Sequence, residues 1–228
     1  MKTKSTWQDL PLRLVSAVLL LLISALCIYF GDPILTLFIL CLVGVVHWEL
    51  GKMLSPISAQ APWFSVVFST SSLFFIIFTD NIALISLILL FNFFMNRLFF
   101  HHSKTFGALY SMAVVVCGFI FYKVHLDFGL YLIFWLISIV VLTDTAGYLT
   151  GRVIGGPKVF PTISPNKTWS GVFGGWLAVG VFSMFFVENV TSPDLVVTFV
   201  VGSVVLSIAA QVGDMIQSHL KRKSDVKD

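Results

Sequence analysis

Apolar residues fill the chain in long blocks, each closed by a short cluster of polar or chain-breaking residues. The blocks run Leu14–Phe30, Ile34–Leu54, Pro62–Phe78, Ile82–Phe100, Gly107–Tyr122, Phe128–Tyr148, Gly171–Val187 and Leu195–Gln217. The breaks are Gly31-Asp32-Pro33, Ser55-Pro56, Ala61-Pro62, Asp80-Asn81, His101 to Lys104, Gly151 to Pro165 and Ser192-Pro193, all turn or breaker chemistry. A helix needs about 17–25 apolar residues to cross ~30 Å of hydrocarbon. In that solvent the backbone of a lone span must satisfy its own hydrogen bonds, which selects helix over open strand. The pattern predicts an all-α integral membrane protein, a polytopic bundle of about eight transmembrane helices forming one domain over residues 1–228. No internal repeat is evident.

Composition agrees with this reading. The 228 residues are 57% apolar and 11% charged, against roughly 45–50% and 25% in a soluble domain. No stretch is polar enough for a separate soluble domain. Cys27, Cys41 and Cys117 lie inside apolar blocks without CxxC spacing and read as packing residues. The basic amino terminus leads into an apolar block with no small-x-small cleavage site after it, so that block is expected to be a retained helix.

The net charge of +3 matters less than its distribution. With the amino terminus cytoplasmic, Lys2, Lys4, Arg13, Lys52, Arg97, Lys104, Arg152, Lys158, Lys167, Lys221, Arg222, Lys223 and Lys227 fall inside, and only Lys123 falls outside. This bias is the positive-inside pattern. It sets the expected orientation, with a bacterial inner membrane as the expected location, the lipid bilayer as a partner and no nucleic-acid partner.

Chemistry concentrates in three places. The expected connection from Gly151 to Gly171 carries Arg152, Lys158 and Lys167 and no acid. Glycines let a ligand approach the backbone, helix amino termini attract anions, and cations neutralise phosphate, so the segment suits a polyphosphate. It is not a Walker A loop, because Pro157 stands where Lys is required. The plainer alternative is a basic juxtamembrane loop that holds topology or anionic lipid. Asp144 lies inside the sixth block, where a carboxylate is costly and usually faces a cavity or a partner. Its plainer alternative is an ion pair with Arg152 or Lys167, and Gly147-x-x-x-Gly151 beside it also suits close helix packing. Near the end of the last block, Asp214, Gln217, Ser218 and Lys221 share one helix face. That set suits a Mg²⁺ bridging phosphate oxygens, or else a solvated helix end. His101-His102 reads as a solvated loop and His47-Trp48-Glu49 as an interfacial anchor. The Phe-rich stretch Phe91 to Phe100 reads as lipid and packing surface.

Three blocks of sequence together resemble the phosphatidate cytidylyltransferase family, the membrane CDP-diacylglycerol synthases. Asp144-Thr145-Ala146-Gly147-Tyr148 with Gly151-Arg152 is similar to the family's Asp-x-x-Ala-Tyr-x-x-Gly-Arg segment, shifted by small residues. Ile163-Ser164-Pro165-Asn166-Lys167-Thr168-Trp169 with Gly171 and Gly174-Gly175 resembles its Ser-Pro-x-Lys-Thr-Trp-x-Gly block. Gly213-Asp214 through Ser218, Lys221-Arg222 and Lys227-Asp228 resembles the opening of its carboxy-terminal signature. That signature continues with His-Gly-Gly and Asp-Arg-x-Asp, whereas this sequence stops at Asp228, so the expectation is a carboxy-terminally truncated form lacking the final signature and last helix.

The resemblance implies a nucleotidyltransferase that converts CTP and phosphatidic acid into CDP-diacylglycerol and pyrophosphate, with its active site at the cytoplasmic face. It implies Mg²⁺, with K⁺ as a second ion, and a homodimer as an open alternative. The residues expected to act are Asp144, Lys167, Asp214, Lys221 and Arg222. Arg152, Lys158, Ser164, Asn166, Thr168, Ser218 and Lys227 are expected around the substrates, and Asp214, Asp144 and Asp228 on metal. Another CTP-dependent lipid transferase or kinase, such as a CDP-archaeol synthase, and a non-catalytic remnant remain as alternatives. A transporter would spread ionisable groups over several helices near the midplane, whereas here they cluster in neighbouring segments.

Overall fold

A computed structural model describes residues 19, 22–56, 58, 60–161, 164–187 and 195–223. Their secondary structure is helical apart from one short hairpin: α1 (residues 22–30), α2 (Ile34–Leu54), α3 (Ala61–Ile77), α4 (Ile82–Phe99), α5 (Lys104–Val153), β1 (Lys158–Phe160), β2 (Ser164–Thr168), α6 (Trp169–Val187) and α7 (Val196–Lys223). Five helices are long and apolar enough to cross a membrane, namely α2, α4, α5, Trp169–Phe186 of α6 and Val196–Arg222 of α7. Helix α3 is a shorter apolar helix. The chain is an all-α, multi-pass membrane protein. The start of the first predicted block and the Ser192-Pro193 break lie outside the described residues.

Two features of the element layout differ from the sequence-based expectation. The fifth and sixth blocks were expected to part between Lys123 and Asp127, yet that stretch is helical and the break falls at Gly129, with φ 72° and ψ −163°. None of residues 123–128 is Gly or Pro, and polar side chains alone do not stop a helix; Gly129 is the first position that takes positive φ without a steric cost. At 1.5 Å per residue the 50 residues of α5 would run to about 75 Å as one rod, and the break leaves two stretches of membrane-crossing length. The second difference lies in the expected 151–171 connection, where β1 and β2 pair antiparallel in the register Lys158↔Thr168 and Phe160↔Ser164.

The chain forms two compact units, Met1–Leu130 and Tyr131–Asp228. In the first, the only buried residues of α4 are Asn92 and Asn96, one turn apart. Asn92 Nδ2 donates to Ser69 Oγ at 3.0 Å, Asn96 Nδ2 reaches the same oxygen at 3.2 Å, and Ser65 Oγ donates to Asn96 Oδ1 at 2.6 Å. Ser111 Oγ meets Asn92 Oδ1 at 3.3 Å and His47 Nε2 at 2.9 Å, while His47 Nδ1 donates to the Val43 carbonyl at 2.7 Å. His47, Ser65, Ser69, Asn92, Asn96 and Ser111 are fully enclosed. The expectation of an interfacial anchor at His47 is therefore corrected. His47 is a core residue, whereas Glu49 is exposed and the half-buried Trp48 packs edge-on against Trp63 with Lys52 over its ring. The Phe91–Phe100 stretch likewise hides a polar face among its aromatic residues.

In the second unit the carboxy-terminal end of α5 and the start of α6 meet backbone to backbone. A Cβ on Gly171 would stand 2.5 Å from the Gly147 carbonyl oxygen, and one on Gly151 would stand 2.7 Å from Thr168 Oγ1. Thr168, the last residue of β2, also starts α6: its Oγ1 accepts the Gly171 N–H at 3.3 Å, one of the donors a helix leaves open at its first turn. The Trp169 N–H donates to the Pro157 carbonyl at 3.1 Å and the Ser170 hydroxyl to the Gly155 carbonyl, which ties the hairpin to the helix. Helix α7 presents polar groups in a ladder at Ser203, Ser207 and Gln211. They are joined respectively to Trp135 Nε1 at 3.2 Å, Thr143 Oγ1 at 2.7 Å and Trp176 Nε1 at 3.1 Å.

Two substitutions check this account. Asn92→Leu removes the donor to Ser69 and the acceptor for Ser111, and is expected to cost about 1–2 kcal/mol in thermal or denaturant unfolding in detergent; an unchanged midpoint would show that the network carries no stability. Gly171→Val forces a side chain against the Gly147 carbonyl and is expected to cost about 1–3 kcal/mol, whereas Val at Gly202, where a Cβ meets nothing within 4 Å, is expected to leave the midpoint in place.

Candidate functional site

The ladder on α7 continues one turn beyond Gln211 to Asp214. Its Oδ2 accepts from Lys167 Nζ at 3.0 Å, and the two side chains are 48% and 30% exposed, so the pair is neither dry nor fully solvated. Lys167 holds this position because it stands one residue before the Thr168 cap, where the hairpin delivers it directly to the head of α6. Asp144, on α5, senses both Asp214 and Lys167 electrostatically. Among the described residues it makes no hydrogen bond and no ion pair of its own. The alternative of a structural ion pair therefore fails. Arg152 donates instead to the Tyr148 hydroxyl at 2.8 Å and lies over its ring, and Lys167 goes to Asp214.

Asp144, Arg152, Lys158, Lys167 and Thr168 line one cavity of about 420 Å³, within the range of small-molecule sites. Gly147, Gly151 and Gly171 lie at its wall, so a ligand there meets backbone as well as side chains. Three cations face a single uncompensated carboxylate, which gives the cavity affinity for an anion carrying several negative charges. Asp144 and Asp214 are the carboxylates available to a cation. No group of three His, Cys, Asp or Glu side chains gathers among the described residues. One or two carboxylates completed by phosphate and water are nonetheless the usual protein share of a Mg²⁺ shell. The donor set fits a Mg²⁺ that arrives with a polyphosphate and does not fit a closed cage made of protein alone.

The remaining sequence candidates divide. Ser164 pairs opposite Phe160 in the hairpin and does not line the cavity. Ser218 and Lys221 stand one and two turns beyond Asp214 on α7, half-buried and off the cavity wall, and Arg222 is exposed beyond them. Asn166 lies on β2. Lys227 and Asp228 fall outside the described residues. Sequence reasoning missed Thr143 and Gln211, both buried and both on the cavity wall. The available signal was a lone amide three residues before Asp214 in an otherwise apolar run.

Comparison with known proteins gives the same direction. Phosphatidate cytidylyltransferase of Staphylococcus haemolyticus (strain JCSC1435) is 38% identical over 123 residues, 53% of this chain and 46% of that protein. The protein of that name from Brucella suis biovar 1 (strain 1330) is 41% identical over 101 residues, 44% of this chain and 37% of the relative. That from Staphylococcus aureus (strain COL) is 39% identical over 124 residues, 53% of this chain and 46% of the relative. The chain thus spans less than half the length of each of these relatives. The Cytidylyltransferase family matches residues 11–228. The chain belongs to the Cytidylyltransferase family.

Proposed function

We propose that the chain transfers a cytidylyl group from CTP to phosphatidic acid, giving CDP-diacylglycerol and pyrophosphate. The observation that carries the reading is the gathering of Lys167, Arg152, Lys158 and Asp144 on one cavity, with Asp214 bound to Lys167. Family membership and the printed names of the relatives support the same reaction. The phosphate of the lipid has a second pKa of about 6, by analogy with phosphorylated side chains, and is a competent nucleophile at neutral pH. One of its oxygens attacks the α-phosphorus of CTP; the bond from that phosphorus to the bridging oxygen breaks, and the electron pair leaves with pyrophosphate. The reaction needs two highly charged phosphates held in line and the leaving charge neutralised more than it needs a nucleophilic side chain.

Within this reading Lys167, Arg152 and Lys158 take the triphosphate. Lys167 has three donors and keeps one on Asp214 while offering the others. Asp214 and Asp144 would hold Mg²⁺, which would supply neutralisation of phosphate charge. K⁺ is a second ion of the same reading. Thr168 fixes Lys167 through the helix cap, Ser164 and Asn166 shape the hairpin, and Ser218, Lys221, Arg222 and Lys227 meet the lipid phosphate. Asp228 contributes a further carboxylate toward the metal. The positive-inside count supports a cytoplasmic amino terminus, eight spans, a site on the cytoplasmic face and a bacterial inner membrane; a homodimer is part of the same proposal.

The test is transfer of label from CTP carrying it on the α-phosphate into extractable lipid, with the purified chain, phosphatidic acid and Mg²⁺. Labelled CDP-diacylglycerol that disappears on chelation is the expected product, and CTP that neither binds nor reacts would overturn the assignment. In an active preparation Asp214→Asn is expected to lower turnover by at least about 10²-fold, and full retained activity would remove Asp214 from the metal centre. Lys167→Met is expected to raise the KM for CTP about tenfold or more, since it removes a charge-assisted contact.

A further inference from the structure

Gln211 is the one cavity-wall residue of α7, 8% exposed and a turn nearer the apolar body of the helix than Asp214. Its amide has a defined orientation. Trp176 Nε1 carries a hydrogen and only donates, so the Gln211 atom it meets at 3.1 Å must be the carbonyl oxygen Oε1. The amide nitrogen is thereby turned away from Trp176. It rests against the α-carbon of Gly175, where an added Cβ would come within 3.0 Å of it. Among the described residues Nε2 donates to no protein acceptor. The NH₂ group of a nearly buried side chain, held in one orientation and left without a protein acceptor on the wall of a cavity, is a donor open to a ligand.

The position of that donor selects the part of the ligand. The cations that would meet phosphate, Arg152, Lys158 and Lys167, belong to the hairpin and the end of α5. Lys221 and Arg222 mark the charged end of α7, about 15 Å along the axis from Gln211. Gln211 therefore lies on the membrane-interior side of these cations, beside Thr143, whose hydroxyl is already committed to Ile139 and Ser207. A lipid whose phosphate sits among the cations places its glycerol ester groups on that interior side. Ester carbonyl oxygens are acceptors only, and Gln211 Nε2 offers only donors. The geometry points to Gln211 as the residue that recognises an ester carbonyl of the lipid substrate through its side-chain NH₂, with Trp176 as the positioning residue that fixes the amide. The inference rests on the lipid cytidylyltransferase reading and deepens it, because it assigns a preference for ester-linked over ether-linked lipids.

The test compares binding of diester and diether phosphatidic acid to the purified chain in detergent, alongside CTP binding measured separately. Wild-type protein is expected to bind the diester about tenfold more tightly, the scale of one neutral hydrogen bond in an enclosed site. Gln211→Leu is expected to bind both lipids equally, at the diether level, with CTP affinity unchanged within about twofold. Gln211→Met keeps the length of the side chain without charge and removes both donors, so it is expected to lose the same discrimination and guards against a packing defect in the Leu variant. Trp176→Phe frees the amide to turn and is expected to reduce the diester preference only in part. Equal wild-type binding of diester and diether would overturn the inference and leave the lipid transferase reading standing. So would a Gln211 variant that weakens CTP and spares the lipid preference. Wild-type protein that binds neither phosphatidic acid nor CTP would overturn the reading itself and this assignment with it.

Discussion

Helices in hydrocarbon gain nothing from leaving it for one another, since lipid tails are as apolar as Leu. Association must therefore come from close backbone approach and from hydrogen bonds between polar side chains, and this chain uses one device in each unit. In residues 1–130, α4 has only Asn92 and Asn96 buried, and both are spent on serines of a neighbouring helix. In residues 131–228, a Cβ on Gly171 would come 2.5 Å from the Gly147 carbonyl oxygen and one on Gly151 would come 2.7 Å from Thr168 Oγ1, so the close approach depends on these glycines. Exposed Leu, Val and Phe, such as Leu87, Phe94, Val181 and Leu177, cover the outside of both. The polarity is inside and the apolar surface faces out, an inversion of the soluble case.

The site inherits its geometry from that second contact. Close approach of α5 and α6 brings Asp144 and Lys167 to one cavity, and the ladder of Ser203, Ser207 and Gln211 sets the rotation of α7 that turns Asp214 toward them. The side chains of the candidate site are thus carried by helices that are themselves hydrogen-bonded to one another, which fixes their positions. The Lys167–Asp214 pair sets a cation and a carboxylate of the site against each other at 3.0 Å.

Much of this was legible in the sequence. Block lengths gave α2 its exact limits, and those of α4 and α6 to within two residues, because Pro, Gly and Asn at the ends act locally. Asp144 and Lys167 were found because charge is rare in these segments. What escaped were the features that depend on a partner. Lys123 and Asp127 look like a loop by polarity, yet helix persists until Gly129 permits a different φ. Asn92, Asn96 and His47 look like interfacial or lipid-facing residues until α2, α3 and α5 supply acceptors and donors for them. The hairpin was invisible because Lys158–Phe160 and Ser164–Thr168 are too short to show alternation, and their pairing rests on backbone bonds.

The junction between β2 and α6 contains no spare residue: the strand ends at Thr168 and the helix begins at Trp169. An extra residue in the strand would flip the faces of its side chains, and one at the helix start would turn everything that follows by about 100°. Lys167 would then leave Asp214, and Gly171 would leave Gly147, at the same stroke. The segment can exchange one side chain for another, but a change in its length breaks the contact at the cavity and the contact between the helices together.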